Sequence, residues 1–183
     1  MINIARGRGS VDGLRELLTR AVPAGIYRWQ APGSTRRSDV AAAAASAGWR
    51  LYWLAGQQVT DADEFLLLCA QTFGFPDWLG HDWDALHDCL TDLTWEDPAA
   101  GHLVVYAGWQ GLAQEEPDSF ATALEIFTAA ADLWQDTDTP MAILLPVTAS
   151  PDASQPDASQ PDASQPGPGQ DAFAQVPLLA PLP

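Results

Sequence analysis

Between residues 49 and 146, short apolar runs alternate with segments whose apolar residues recur at helical spacing. The apolar runs are Trp49–Leu54, Leu103–Tyr106 and Met141–Leu145. Each run has the length of a strand, and the segments between them are long enough to form helices. Strands that alternate with helices favour a parallel sheet with right-handed crossovers. We therefore predict a small α/β domain over 49–146, in which a three-stranded parallel sheet packs against helices.

The helices of this domain have recognisable ends. Thr60 and Asp63 have the spacing of a capping box, and Gly74 is suited to end the helix that follows. Asp82 is a good N-cap for the next helix, and Pro117 can open a third one. The apolar stripe of the helix after Asp82, which we expect to be buried, consists of Leu86, Cys89, Leu90 and Leu93.

The opposite face of that helix carries Asp84, His87, Asp88 and Thr91, and is called the acidic face below. Aspartates one turn apart destabilise a helix by a few tenths of a kcal/mol. Asp84 lies in the first turn, where the helix dipole favours an anion, but Asp88 lies beyond it. A carboxylate pair that helix stability does not require indicates a surface that meets something positively charged.

The charge of the chain restricts its partners. Its 183 residues include 24 acidic and 8 basic side chains, for a net charge of −16. This charge opposes direct binding to nucleic acid or to an anionic membrane. It favours a basic partner, with an encounter that is faster at low salt.

Cysteine usage and the absence of targeting signals indicate a compartment. Cys69 and Cys89 both fall on apolar stripes, so we expect buried free thiols. The first residues contain no apolar signal core, and no apolar run is long enough to span a membrane. We therefore expect a soluble, cytoplasmic protein.

The two ends of the chain differ from its centre. Residues 1–48 form an N-terminal extension, which holds most of the arginines and includes one short predicted strand at 25–29. Residues 147–170 contain three copies of Pro-Asp-Ala-Ser-Gln and predict an extended, disordered linker. Residues 171–183 turn apolar again. This tail could dock on the domain or fray, and the sequence leaves both outcomes open.

Three interpretations of the acidic face compete. His81, Asp82 and the acidic face form a dense cluster of potential ligands, but their spacing matches no metal-binding motif, and no nucleophile lies elsewhere. We therefore expect no metal, no cofactor and no enzymatic activity.

The second interpretation is a solvated helix face with an N-cap. The third is a binding face that imitates a polyanion, because carboxylates one turn apart lie roughly 5–6 Å apart at Cβ, a scale similar to adjacent phosphate oxygens. Trp78 could stack beside such a face.

Residues 75–93 resemble the signature helix of the barstar family, which are intracellular inhibitors of secreted guanyl-preferring ribonucleases. The resemblance extends more weakly over 49–146. The elements that match are Pro76, Trp78, Gly80, the run Asp82-Trp83-Asp84-Ala85-Leu86, and Asp88-Cys89-Leu90.

This resemblance implies roles for individual residues. Asp88 would fill the phosphate site of a ribonuclease, and Asp84 would pair with a further arginine of the enzyme. Trp78 would pack against a catalytic histidine, and Gly80 would let the loop backbone approach closely. The predicted partner is a basic ribonuclease or ribonuclease-type toxin, bound 1:1 by a monomer that serves as an immunity protein or antitoxin. The remaining predicted contact residues are His87, Trp83, Asp82 and Thr91.

Some positions depart from the family pattern. His87 stands where the type member has tryptophan, and Asp82 where asparagine is usual. Ala129 aligns with a glutamate that contacts the partner. One alternative is therefore an acidic interaction or regulatory module on the same fold, without ribonuclease inhibition. Another is a metal-binding enzyme that uses the histidine and aspartate cluster.

Overall fold

Four parallel strands form a sheet in the computed structural model of this chain, which describes residues 9–31, 35–75, 82–93, 98–148 and 173–179. The strand order across the sheet is β1-β4-β3-β2. The strands are β1 (Ile26–Ala31), β2 (Trp49–Ala55), β3 (Gly101–Ala107) and β4 (Met141–Thr148). The helices are α1 (Gly9–Leu18), α2 (Arg37–Ser46), α3 (Ala62–Phe73), α4 (Trp83–Thr91), α5 (Gln110–Glu115) and α6 (Pro117–Gln135).

The α/β class and the parallel arrangement are confirmed, but the prediction of three strands is wrong. Strand β1 pairs in parallel with β4, from Ile26 opposite Ile143 to Ala31 opposite Thr148. Without β1, the apolar strand β4 would lie at an unpaired edge of the sheet. The pairing joins segments more than 100 residues apart along the chain, and apolar periodicity carries no information about such distant partners.

Helices cover both faces of the sheet, which explains why β3 is buried along its whole length. Leu103 and Val105 of β3 belong to a core cluster that includes buried residues of α1 and α2. Val104 and Tyr106 point to the other face, into a larger cluster built with α3, α4, α5 and α6. Alternate residues of one strand therefore hold two helical layers together.

The ends of α3 show how close the sequence prediction came. Asp61 is the N-cap, and its side chain accepts a hydrogen bond from Glu64 N at 2.8 Å. The capping box predicted at Thr60 and Asp63 is therefore not formed: the cap lies one residue later, and Glu64 Oε2 accepts from Thr60 N, the residue before the cap, at 3.0 Å. Gly74 ends the helix in a left-handed conformation with φ of 65°, as predicted.

The C-terminal segment 173–179 lies beside β1, so its described residues dock on the domain. Val176 and Leu179 are buried there. Pro117 opens α6, as predicted, whereas α5 was not anticipated. In the part of the chain that the structure describes, no helix has both the length and the apolar character needed to cross a membrane.

Candidate functional site

Helix α4 begins at a well-formed cap. Asp82 has an extended backbone, with φ of −131° and ψ of 174°, and its Oδ1 accepts a hydrogen bond from Ala85 N at 2.8 Å. This confirms the N-cap predicted from the sequence. The cap satisfies one of the free N–H groups of the first turn and fixes where the helix starts.

The apolar stripe determines which way the rest of α4 points. Leu86, Cys89, Leu90 and Leu93 are buried, as predicted. Because buried positions recur every three to four residues, Asp84, His87 and Asp88 are left exposed on the outer side. Core packing of the buried stripe therefore fixes the orientation of α4, with the acidic face towards solvent.

The carboxylate of Asp88 is open to solvent beside His87. Its side chain is 81% exposed, and its Oδ1 lies 3.6 Å from Nδ1 of His87, whose side chain is 49% exposed. All eight basic residues of the chain are arginines at or before Arg50. Within the described ranges, the contact found for the Asp88 carboxylate is with this histidine on its own helix, and the exposed carboxylate is accessible to a positively charged ligand.

The hydroxyl of Thr91 makes hydrogen bonds within its own helix. Its Oγ1 donates towards the carbonyl oxygens of His87 at 2.9 Å and Asp88 at 3.1 Å. The hydroxyl proton is therefore used internally, and towards a partner the oxygen can act only as an acceptor.

Asp92 adds a third exposed carboxylate that the sequence analysis missed. It is the C-cap of α4 and its N–H donates to Asp88 O at 3.1 Å. Asp84, Asp88 and Asp92 repeat at four-residue intervals, and that spacing alone would have been a sufficient signal.

Trp83, one of the predicted contact residues, is half-buried. Its ring centroid lies 5.8 Å from that of Phe65 on α3, and the side chain packs against the larger core cluster. Trp83 therefore anchors the first turn of α4 and offers only part of its surface to a partner. The predicted contact residues Trp78 and Gly80 lie outside the described residues, as does His81.

Helix α6 supports the C-terminal end of α4. Trp134 Nε1 donates to Leu90 O at 2.7 Å, and Leu90 is one of the last residues of α4, whose carbonyls have no partner within the helix. Ala129 is exposed on α6, with Glu125 and Asp132 exposed one turn to either side. The position that lacks a glutamate is therefore flanked by carboxylates on the same helix face.

The described residues offer little for acid–base or metal chemistry. Burial, followed by the charges of Asp88 and Asp92, raises the pKa of Cys89 to about 11, so the thiol stays protonated. His102 is buried, not part of an open cleft. Within the described ranges, no three His, Cys, Asp or Glu side chains come together as a possible metal site. The acidic face of α4 can present negative charge in a fixed orientation.

A comparison with protein-family models gives one result for this chain. The model described as Barstar (barnase inhibitor) matches residues 49–146, which is more than half of the 183 residues. The match spans β2 to β4 and includes α4, and it confirms the resemblance stated from the sequence. No curated protein matches the chain.

Proposed function

This chain belongs to the barstar family, and from that premise we propose that it binds the basic active site of a ribonuclease, or of a ribonuclease-type toxin, and occludes it. The observation that carries the proposal is the orientation of α4. Asp84 and Asp88 are exposed on one face, while the stripe behind them is buried in the core. The face is fixed before the partner arrives, so binding requires little ordering of the helix.

The inhibition we propose is steric and electrostatic, and the chain performs no chemistry of its own. A ribonuclease binds RNA phosphates with cationic side chains, and two carboxylates one turn apart offer those side chains a similar spacing of negative charge. Asp88, whose side chain is 81% exposed, would fill the phosphate site. Asp84 would meet a further arginine, and Asp92 extends the row for long-range attraction.

Single substitutions test the assignment of the face. We expect Asp88→Ala to weaken binding most and Asp84→Ala second, each by about 2–5 kcal/mol if the charge pair is desolvated in the complex. The loss includes the cost of leaving a cation of the enzyme buried without a partner. Binding of both variants as tight as that of wild type, measured by calorimetry with a captured ribonuclease, would show that the face is assigned wrongly.

The partner is identified by capture and assay. The full chain is used to retain proteins from host lysate and secreted medium, in parallel with an Asp84→Ala/Asp88→Ala variant. A Glu115→Ala/Asp118→Ala variant removes two exposed acidic charges elsewhere and serves as the matched control. We expect a basic ribonuclease to be retained and silenced by wild type and by the control, and to be lost with the α4 variant.

A second candidate function is an acidic interaction or regulatory module without ribonuclease inhibition. The observation that favours it is Ala129, where the family has a partner-contacting carboxylate. If the captured partners depend on Asp84 and Asp88 but none is a nuclease, this second function replaces the first. If the captured proteins are the same for all variants, the acidic face has no part in binding.

A further inference from the structure

The C-terminal segment 173–179 extends the sheet beyond its edge strand. Arg28 N donates to Pro177 O at 2.8 Å, and Leu179 N donates to Arg28 O at 2.9 Å. Arg28 and Leu178 form a parallel bridge. This is the geometry by which a separate peptide adds to an exposed sheet edge. Here the added strand comes from the same chain.

Side chains of the segment fill a cleft formed by other parts of the fold. Phe173 stacks on Trp109 with ring centroids 4.1 Å apart, and lies 6.4 Å from Phe120. Trp109 is itself held in place, because its Nε1 donates to Pro146 O at 2.9 Å. The guanidinium carbon of Arg28 lies 5.5 Å from the centre of the Phe173 ring, within range of a cation–π interaction. We call the β1 edge at Arg28 and the Trp109–Phe120 cleft the β1-edge site.

The segment lies far along the chain from the element that precedes it. Strand β4 ends at Thr148, and residues 149–172 separate it from the segment. Phe173 stacks on the same tryptophan that bonds to Pro146 of β4, so both ends of this connection lie near one another. About 24 residues can span up to roughly 80 Å, which is far more than the connection needs. Its length therefore does not force the segment into the site.

The attachment is small and imperfect, as expected for a ligand that can leave. Among the described residues it consists of two backbone hydrogen bonds, the buried side chains of Val176 and Leu179, and the stacking of Phe173 on Trp109. Arg28 Nε is buried without a hydrogen-bond partner among the described residues, and undocking would return it to water. Pro177 and Leu178 stay exposed in the docked state.

We propose that the β1-edge site is a peptide-binding site that also takes the C-terminal segment of a second copy of this chain. Every copy carries both the site and its ligand, and an undocked segment leaves an open sheet edge that can pair with another strand. The charge of −16 on each copy opposes the encounter, so exchange requires salt to screen it. This inference is independent of the proposed ribonuclease inhibition.

The first experiment tests the site in the full chain. Val176→Asp is expected to undock the segment, and amide exchange at Arg28 is then expected to accelerate while the amides of β3 remain protected. A synthetic peptide of residues 172–183 should restore protection at Arg28 and change the fluorescence of Trp109. Because tethering gives an effective concentration on the order of 1 mM, a segment that is docked in cis implies a peptide Kd below about 1 mM.

Controls separate loss of docking from loss of folding. A peptide that carries the same Val176→Asp substitution should not bind. If Val176→Asp does not fold, Phe173→Ser replaces it, since Phe173 is only half-buried. Failure of the wild-type peptide to protect Arg28 in a folded variant would overturn the site.

The second experiment tests whether the C-terminal segment of one copy binds the β1-edge site of another. Isotopically heavy Val176→Asp chain is mixed with light wild type and followed by sedimentation and native mass spectrometry. We expect mixed dimers whose population rises with protein concentration and with salt, and is unchanged by Asp84→Ala/Asp88→Ala. Ribonuclease binding, in contrast, should weaken both with salt and with those substitutions. Peptide binding without any mixed dimer up to millimolar protein would overturn the exchange between copies.

Discussion

At the scale of single residues, Asp82 makes a hydrogen bond whose loss can be measured. Its carboxylate accepts from Ala85 N at 2.8 Å and is the side-chain cap of α4. We expect Asp82→Ala to lower the free energy of unfolding by about 1 kcal/mol, since N-cap replacements by alanine cost roughly 0.5–2 kcal/mol. Urea unfolding of both proteins measures the difference. Asp82→Asn preserves an acceptor and should stay near wild type, and an equal loss in both variants would point to charge instead of capping.

The second prediction for a single residue concerns His102 and the stability of the protein below pH 7. Burial, followed by the charge of Arg50, lowers the pKa of His102 to about 4. Its pKa in the unfolded chain is about 6.5, so between these values the unfolded state binds more protons. Above about pH 6.5, this group therefore does not lower the free energy of unfolding. As the pH falls from about 6.5 towards 4, the free energy of unfolding declines, by at most about 3 kcal/mol in total.

The measurement for His102 is a comparison of pH profiles. Unfolding free energies of wild type and His102→Gln are determined by urea at pH 7.5 and 5.0. Carboxylates titrate in both proteins and cancel in the comparison, so the smaller loss of stability in the variant isolates the histidine. Equal losses in the two proteins would show that His102 does not change its pKa on folding.

Residue-level predictions from the sequence succeeded where only near neighbours mattered. The cap at Asp82 and the burial of Cys69 and Cys89 follow from spacing within one or two turns. The cap of α3 was placed one residue early, because Thr60 and Asp61 are both competent acceptors and only the backbone geometry selects Asp61.

At the scale of elements, the contact between α4 and α6 supports the end of the acidic face. Trp134 Nε1 donates to Leu90 O at 2.7 Å, and its ring packs at 5.6 Å from His102. We expect Trp134→Phe to retain most of the packing but lose the donor, with a loss of about 1 kcal/mol in unfolding free energy. Amide exchange should accelerate in the last turn of α4 and not in its first turn. Uniform acceleration along α4 would indicate general destabilisation.

Elements were predictable where their pattern was local and complete. The amphipathic stripe of α4 and the apolar runs of β2, β3 and β4 each fall within a short window. Strand β1 was recognised as a short strand, but its place beside β4 depends on a pairing across most of the chain. Helix α5 has only six residues, which is too short to show a helical period.

At the scale of the whole molecule, basic and acidic residues are separated along the chain. Every basic side chain lies at or before Arg50, whereas most of the 24 acidic residues follow it. The orientation of α4 could be derived from its buried stripe, so the sequence predicted which of its residues face solvent. The predicted contacts of Trp78 and Gly80 lie outside the described residues and stay predictions.

This charge predicts that the rate of association with the proposed basic ribonuclease is sensitive to salt. The range of the field falls from about 30 Å at 0.01 M ionic strength to about 8 Å at 0.15 M. We expect the association rate constant to fall at least about tenfold over this interval, while the dissociation rate constant changes much less. Stopped-flow mixing at several salt concentrations gives the slope. Glu115→Ala/Asp118→Ala should flatten it slightly, and Asp84→Ala/Asp88→Ala should flatten it more, because the latter charges lie at the point of contact. A wild-type rate that is independent of salt would contradict electrostatic attraction as the route by which the acidic face finds its partner.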